Sequence, residues 1–64
     1  MTDRTAKQPE QLLDIPTVAS ACRVSEKTVR RWIKAGELPA ARLGNQWRIQ
    51  PRDLQIFVLE RMAR

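Results

Sequence analysis

The sequence predicts a mainly α fold with a small β-hairpin: a winged helix-turn-helix of three helices plus a two-stranded wing. Three observations lead there. Two capped segments with apolar stripes are joined by only three residues, Arg23-Val24-Ser25, the spacing of a helix-turn-helix. Gly36 and Pro39 stop the second segment, and short strand candidates then flank Gly44-Asn45-Gln46, the composition of a tight hairpin. Pro51 opens a last helix behind the hairpin.

Each element has a local reason. Residues 1–11 are polar, with almost no apolar content, and are expected to be a disordered tail; residues 12–64 are expected to form the domain. Order begins with a short extended piece at Leu12-Leu13. Asp14 is the expected N-cap of the first helix, with Pro16 in its first turn where a missing N–H costs nothing. Ile15, Val18, Ala19 and Cys22 recur at helical spacing and define its inward face. Ser25 is the expected cap of the second helix, and Glu26 suits the positive end of its dipole. That helix is expected to run to about Ala35, with Gly36 in the left-handed conformation that ends it. Ala40 to Leu43 and Trp47 to Ile49 are the expected strands. In the last helix Asp53 lies in the first turn, and Leu54, Phe57, Val58 and Met62 are the expected core face.

Size and charge narrow the function. A chain of 64 residues buries only about 60% of its unfolded surface, too small a core for a deep catalytic cleft. There is no His, and Cys22 is the lone cysteine, so neither a metal cluster nor an internal disulfide is expected. Asp14, Glu26 and Asp53 occupy helix-start positions that already explain them, and Gly36 and Gly44 are isolated rather than part of a phosphate loop. No catalytic residue, metal or cofactor is expected. Without a membrane-spanning apolar run or a leader-like apolar stretch near the N-terminus, the expectation is a cytoplasmic protein with no membrane or small-molecule partner.

The net charge of +5 is concentrated. Between Arg23 and Arg52 eight basic residues face only Glu26 and Glu37, a net of +6. On the second helix Val29, Trp32 and Ile33 take one side, and Lys27, Arg30, Arg31 and Lys34 take the other. Lys27–Arg31 and Arg30–Lys34 are like-charge i, i+4 pairs, each costing a few tenths of a kcal/mol in an isolated helix. Glu26–Arg30 alone offsets them at that spacing. A helix selected only for solubility would alternate signs, so the pattern implies an anionic partner, double-stranded DNA. A merely solvated basic face is the competing reading. Arg42 and Arg48 flank a hairpin tip of small polar residues, Asn45 and Gln46, suited to a minor groove. The alternative is a hairpin that only completes the core, the role expected of Trp47.

These residues resemble the excisionase-like helix-turn-helix proteins, a branch of the MerR-like winged-helix group. The likeness runs from about Leu13 to Phe57. It is carried by Val24-Ser25, Thr28-Val29, Trp32-Ile33, Gly36-Glu37-Leu38-Pro39-Ala40, Arg42 with Gly44, Trp47-Arg48-Ile49 and Asp53-Leu54 with Phe57. The resemblance implies a DNA-binding protein of phage, plasmid or mobile-element type. Its second helix would enter a major groove and its wing the neighbouring minor groove. It further implies an excisionase, or recombination directionality factor, that binds repeated sites, bends DNA and works with an integrase. A small transcriptional regulator, or a module recruiting a recombinase through its last helix, are the alternatives. Carried over position by position, the recognition-helix contacts are Ser25, Lys27, Thr28, Arg30, Arg31 and Lys34, and the wing contacts are Arg42, Asn45 and Arg48. Two features depart from the pattern. Cys22 stands where a larger aliphatic is usual. Ile56, Leu59 and Ala63 form a second apolar stripe on the last helix, to be covered by Leu12 and Leu13 or used to contact an integrase or a second copy.

Overall fold

The computed structural model describes residues 12–63; the expected tail at 1–11 lies outside the described residues. Three helices and one two-stranded antiparallel hairpin follow the order α1 (Ile15–Cys22), α2 (Glu26–Lys34), β1 (Ala41–Leu43), β2 (Gln46–Arg48), α3 (Pro51–Met62). This is the winged helix-turn-helix architecture that the sequence predicts. Among the described residues, no helix is long and apolar enough to cross a membrane.

Both helices of the motif start and stop on local chemistry. The Asp14 carboxylate accepts a 2.9 Å hydrogen bond from the Thr17 N–H, and Pro16 sits in the first turn. Ser25 Oγ accepts from the Thr28 N–H at 3.1 Å. At the end of α2, Gly36 (φ 78°) reverses the chain. The Gly36 N–H donates to the Ile33 carbonyl at 3.0 Å and the Glu37 N–H to that of Trp32 at 2.9 Å, the paired bonds of a Schellman stop. The same pair ends α1, from the Arg23 N–H to Ser20 (3.2 Å) and from the Val24 N–H to Ala19 (3.0 Å). Here the left-handed residue is Arg23, at φ 59° and ψ 45°. That conformation crowds Cβ against the backbone in any residue but glycine.

The core is seven side chains gathered from every part of the fold: Ile15, Val18, Ala19, Val29, Leu38, Ile49 and Phe57. Leu38 and Ile49 belong to no helix or named strand, yet both are fully buried. Leu38 is delivered by the turn after Gly36. Ile49 is fixed by an isolated antiparallel bridge to Leu13, with 2.8 Å N–H to carbonyl bonds in both directions. α3 closes the core with Phe57, whose ring lies 4.7 Å from that of Trp32. The Arg61 guanidinium stacks over Phe57 (4.5 Å) and Trp32 (6.0 Å) and pairs with Glu37 at 2.6 Å. It thereby ties the end of α3 to the turn that leaves α2.

Four expectations change. The hairpin loop has two residues, not three, because Gln46 is the first residue of β2 and pairs with Leu43. Gly44 has φ 64°, and Arg23 is the only described non-glycine residue with positive φ. A glycine alone at positive φ in the first central position fits a type II′ turn, so Asn45 does not use its tolerance of positive φ. Met62, expected in the core, is 74% exposed, since the last turn of α3 runs past the elements it would pack against. Leu13, expected with Leu12 as one possible cover for the second stripe of α3, packs against the core instead, and among the described residues Ile56 and Leu59 remain exposed.

Leu38→Ala is expected to cost about 2–5 kcal/mol, a large part of what so small a domain has, read as a loss of the urea midpoint. Arg23→Gly is expected to stabilise by about 0.5–1 kcal/mol, the relief of left-handed strain less the entropy glycine adds to the unfolded chain. Thermal melts of the two proteins side by side would show it; an unchanged or lower midpoint would mean that Arg23 is unstrained.

Candidate nucleic-acid interface

α2 divides cleanly into two sides. Val29 is buried, and Trp32 and Ile33 pack half-buried against the core. Lys27, Arg30, Arg31 and Lys34 are exposed on the opposite side. Among the described residues only Arg30 of these four has an ion-pair partner, Glu26 at 3.4 Å, and both side chains of that pair are about half exposed. An exposed i, i+4 pair of this kind contributes only about 0.3–0.5 kcal/mol. The basic face is therefore held open by packing behind it, with little to neutralise it in the free protein.

The wing completes this face. Lys27, Arg30, Arg31, Lys34, Arg42 and Trp47 line one shallow depression between α2 and the hairpin. The Arg42 guanidinium stacks 5.0 Å from the centre of the Trp47 ring, which holds the cation beside α2 without consuming its charge. Trp47 packs against the core as expected and also forms part of the depression. A second groove runs from the N-terminal turn of α1 to the wing. Asp14, Pro16, Arg30, Arg42, Asn45, Gln46 and Arg48 are among its lining.

Strand register separates two residues that the sequence had placed together. Arg42 pairs across the hairpin with Trp47, and Arg48 pairs with Ala41. Directly opposed residues share a face and successive ones alternate, so Arg42 and Arg48 leave the ribbon on opposite faces. Arg48 is also more tightly held. It is half-buried, donates 3.0 Å to the Trp47 carbonyl, and donates a second bond to the Gln46 side-chain oxygen. Gln46 is thus a positioning residue, and only the two-residue loop reveals it. Ser25 and Thr28 sit at the start of α2 with their hydroxyls 3.0 Å apart. The Ser25 oxygen is already committed to the cap, and neither residue lines either depression.

Of the nine residues expected to form the site, Lys27, Arg30, Arg31, Lys34 and Arg42 converge on the first depression. Asn45 and Arg48 line the second, which shares Arg30 and Arg42 with it. Among the described residues no group of three or more His, Cys, Asp or Glu is placed to hold a metal ion.

A basic helix exposed behind a three-residue turn, with a wing beside it, defines a helix-turn-helix DNA-binding domain. The chain belongs to that family: residues 12–62 match the family model described as helix-turn-helix domain. It is 47% identical over 58 residues to the transcriptional repressor DcmR of Methylorubrum extorquens, a match covering 86% of this chain and 22% of the repressor. It is 45% identical over 42 residues to a Mycobacterium tuberculosis protein whose name marks it as a candidate DNA-binding protein, covering 66% of this chain and 54% of that one. The chain therefore spans about a fifth to a half of the length of these relatives. No solved structure matches it with comparable significance.

Asp14 links the second groove to acid stability. Hydrogen bonds from the Thr17 side chain and then its backbone N–H hold the carboxyl below its ordinary value of 3.8, helped by the charge of Arg48. A lowered carboxylate stabilises fully above its unfolded value and loses that contribution as pH falls through the folded one. Asp14→Asn is expected to flatten this part of the acid limb in melts followed from neutral pH down through the carboxylate range. An identical acid limb in the variant would show that the cap is not the titrating element.

Proposed function

We propose that this chain binds double-stranded DNA sequence-specifically, with α2 in a major groove and the hairpin against the adjacent minor groove. The observation that carries the reading is the basic depression between α2 and the wing, where five cationic side chains converge. An α-helix with its side chains is about 10–12 Å across and suits a major groove about 12 Å wide. Lys27, Thr28 and Arg31 are assigned to base edges and phosphates along the helix, with Ser25 at its capped start. Arg30 and Lys34 are assigned to phosphates. Arg42, Asn45 and Arg48 are assigned to the minor groove and its walls.

For the role of the bound protein, the likeness to a transcriptional repressor supports a regulator that occupies an operator. A second reading, a recombination directionality factor working with an integrase, is supported by the motif set from Val24-Ser25 to Asp53-Leu54. Sequencing the genomic fragments that the protein retains separates them: promoter-proximal operators support the first, repeated sites beside an attachment site the second.

On a selected duplex, log K is expected to fall with log salt at about −0.9 per phosphate neutralised, with roughly five to seven such contacts. Arg31→Ala should weaken binding by about 1–3 kcal/mol and relax preference at one position. Undiminished duplex binding after joint replacement of Arg30, Arg31 and Lys34 by Ala would sink the assignment of α2.

A further inference from the structure

Leu43 is the last residue of β1, immediately before the turn at Gly44, and 51% of it is exposed. Among the described residues the other exposed large apolar side chains, Ile56, Leu59 and Met62, all lie on α3. Leu43 is therefore the single large apolar group left in water across the whole basic stretch from Arg23 to Arg52. A lone exposed leucine is ordinary on a protein surface; the position of this one is not. It forms with Gln46 the first pair behind the tip, on the ribbon face opposite Trp47 and Arg42 and away from the packed indole. It does not belong to the core or to the side chains packed against it. Thr or Arg would keep the strand here without exposing an apolar surface.

The tip ahead of Leu43 is only Gly44-Asn45, two small residues. Such a thin turn can enter a minor groove about 6 Å wide, and the first side chain behind it then meets the base-pair edges. Arg42, one pair further back, and Arg48, two pairs further back, bring cationic charge to opposite faces of the ribbon behind it. Minor-groove proteins use Leu and similar apolar groups as wedges that partly unstack one base step and kink the duplex.

We infer that Leu43 is an apolar wedge at the wing tip, inserting against a flexible pyrimidine–purine step in the minor groove and bending the DNA there. This rests on the DNA-binding reading above and adds to it a deformation that the cations alone do not produce. Sequence preference then extends to a step that is selected by its ease of unstacking rather than by hydrogen bonds.

The test uses the full chain and a duplex enriched by it from a random pool, with 2-aminopurine replacing adenine in turn at each step flanking the α2 site. At saturating protein, one position is expected to brighten about twofold or more as its base unstacks, with a bend in the range of about 20–90° in circular-permutation gels. Leu43→Ala is expected to remain folded and duplex-bound while losing both signals; Leu43→Met should restore them. If Leu43→Ala binds and keeps the fluorescence rise and the bend, or if the wild-type protein binds without either, the wedge is overturned and DNA binding stands. If the wild-type protein enriches no duplex at all, the DNA-binding reading itself has failed.

Discussion

The structure depends on one constraint: a core of seven described side chains is assembled from three helices and the two segments flanking the hairpin, because no element is long enough to supply it alone. In so small a chain the buried fraction is low, so each helix buries only one to three apolar groups and leaves the rest half-buried or in water. α2 gives Val29 fully and Trp32 and Ile33 in part. It has no second face to give, since burying Lys27, Arg30, Arg31 or Lys34 without partners would cost far more than any packing returned. The basic surface and the core are thus two sides of one nine-residue helix. Whatever shifts Val29 or Leu38 also re-aims the four cations.

Three ties fix that helix and the wing relative to each other. The Schellman turn after α2 drops Leu38 into the core within two residues of Gly36. The bridge between Leu13 and Ile49 anchors the base of β2 to the segment that caps α1. The Arg61 clasp on Glu37, Trp32 and Phe57 closes α3 over the far end of α2. None of them touches the depression lined by Lys27, Arg31 and Arg42. The interface is left free because its geometry is held from behind.

What could be read from the sequence was what local chemistry determines. The Asp14 and Ser25 caps, the stop at Gly36 and the cationic face of α2 depend on residues at most four positions apart, and all are where the pattern puts them. Arg23 escaped because its left-handed backbone is imposed by the two capping bonds, not advertised by a glycine. Leu38 lies between a helix and a hairpin and follows no period, so periodicity does not mark it as core. Arg61 and Glu37 are 24 positions apart, and the Leu13–Ile49 bridge closes a still longer gap; such contacts exist only once the topology does. The opposite facing of Arg42 and Arg48 was illegible for another reason. A one-residue change in register sends every strand side chain to the other face, and the loop proved one residue shorter than expected. Met62 shows the converse failure, a helical stripe continuing past the last neighbour able to receive it.

The charge pattern then connects folding to binding. In the free domain Lys27 opposes Arg31 and Arg30 opposes Lys34 one helical turn apart, with the exposed Glu26 contact as the only counterweight on the helix. Phosphates placed along that face would remove the repulsion as well as add attraction, so a DNA backbone favours the folded form over the unfolded one. A ligand at a hundred times its dissociation constant contributes about 2.7 kcal/mol to stability, comparable to deleting a core leucine side chain at the lower end of its cost. For a domain with a thin margin, occupancy of DNA is therefore a term in its fold and not only a consequence of it. The repulsion along α2 weakens the free protein, and a phosphate backbone laid on the basic face would relieve it.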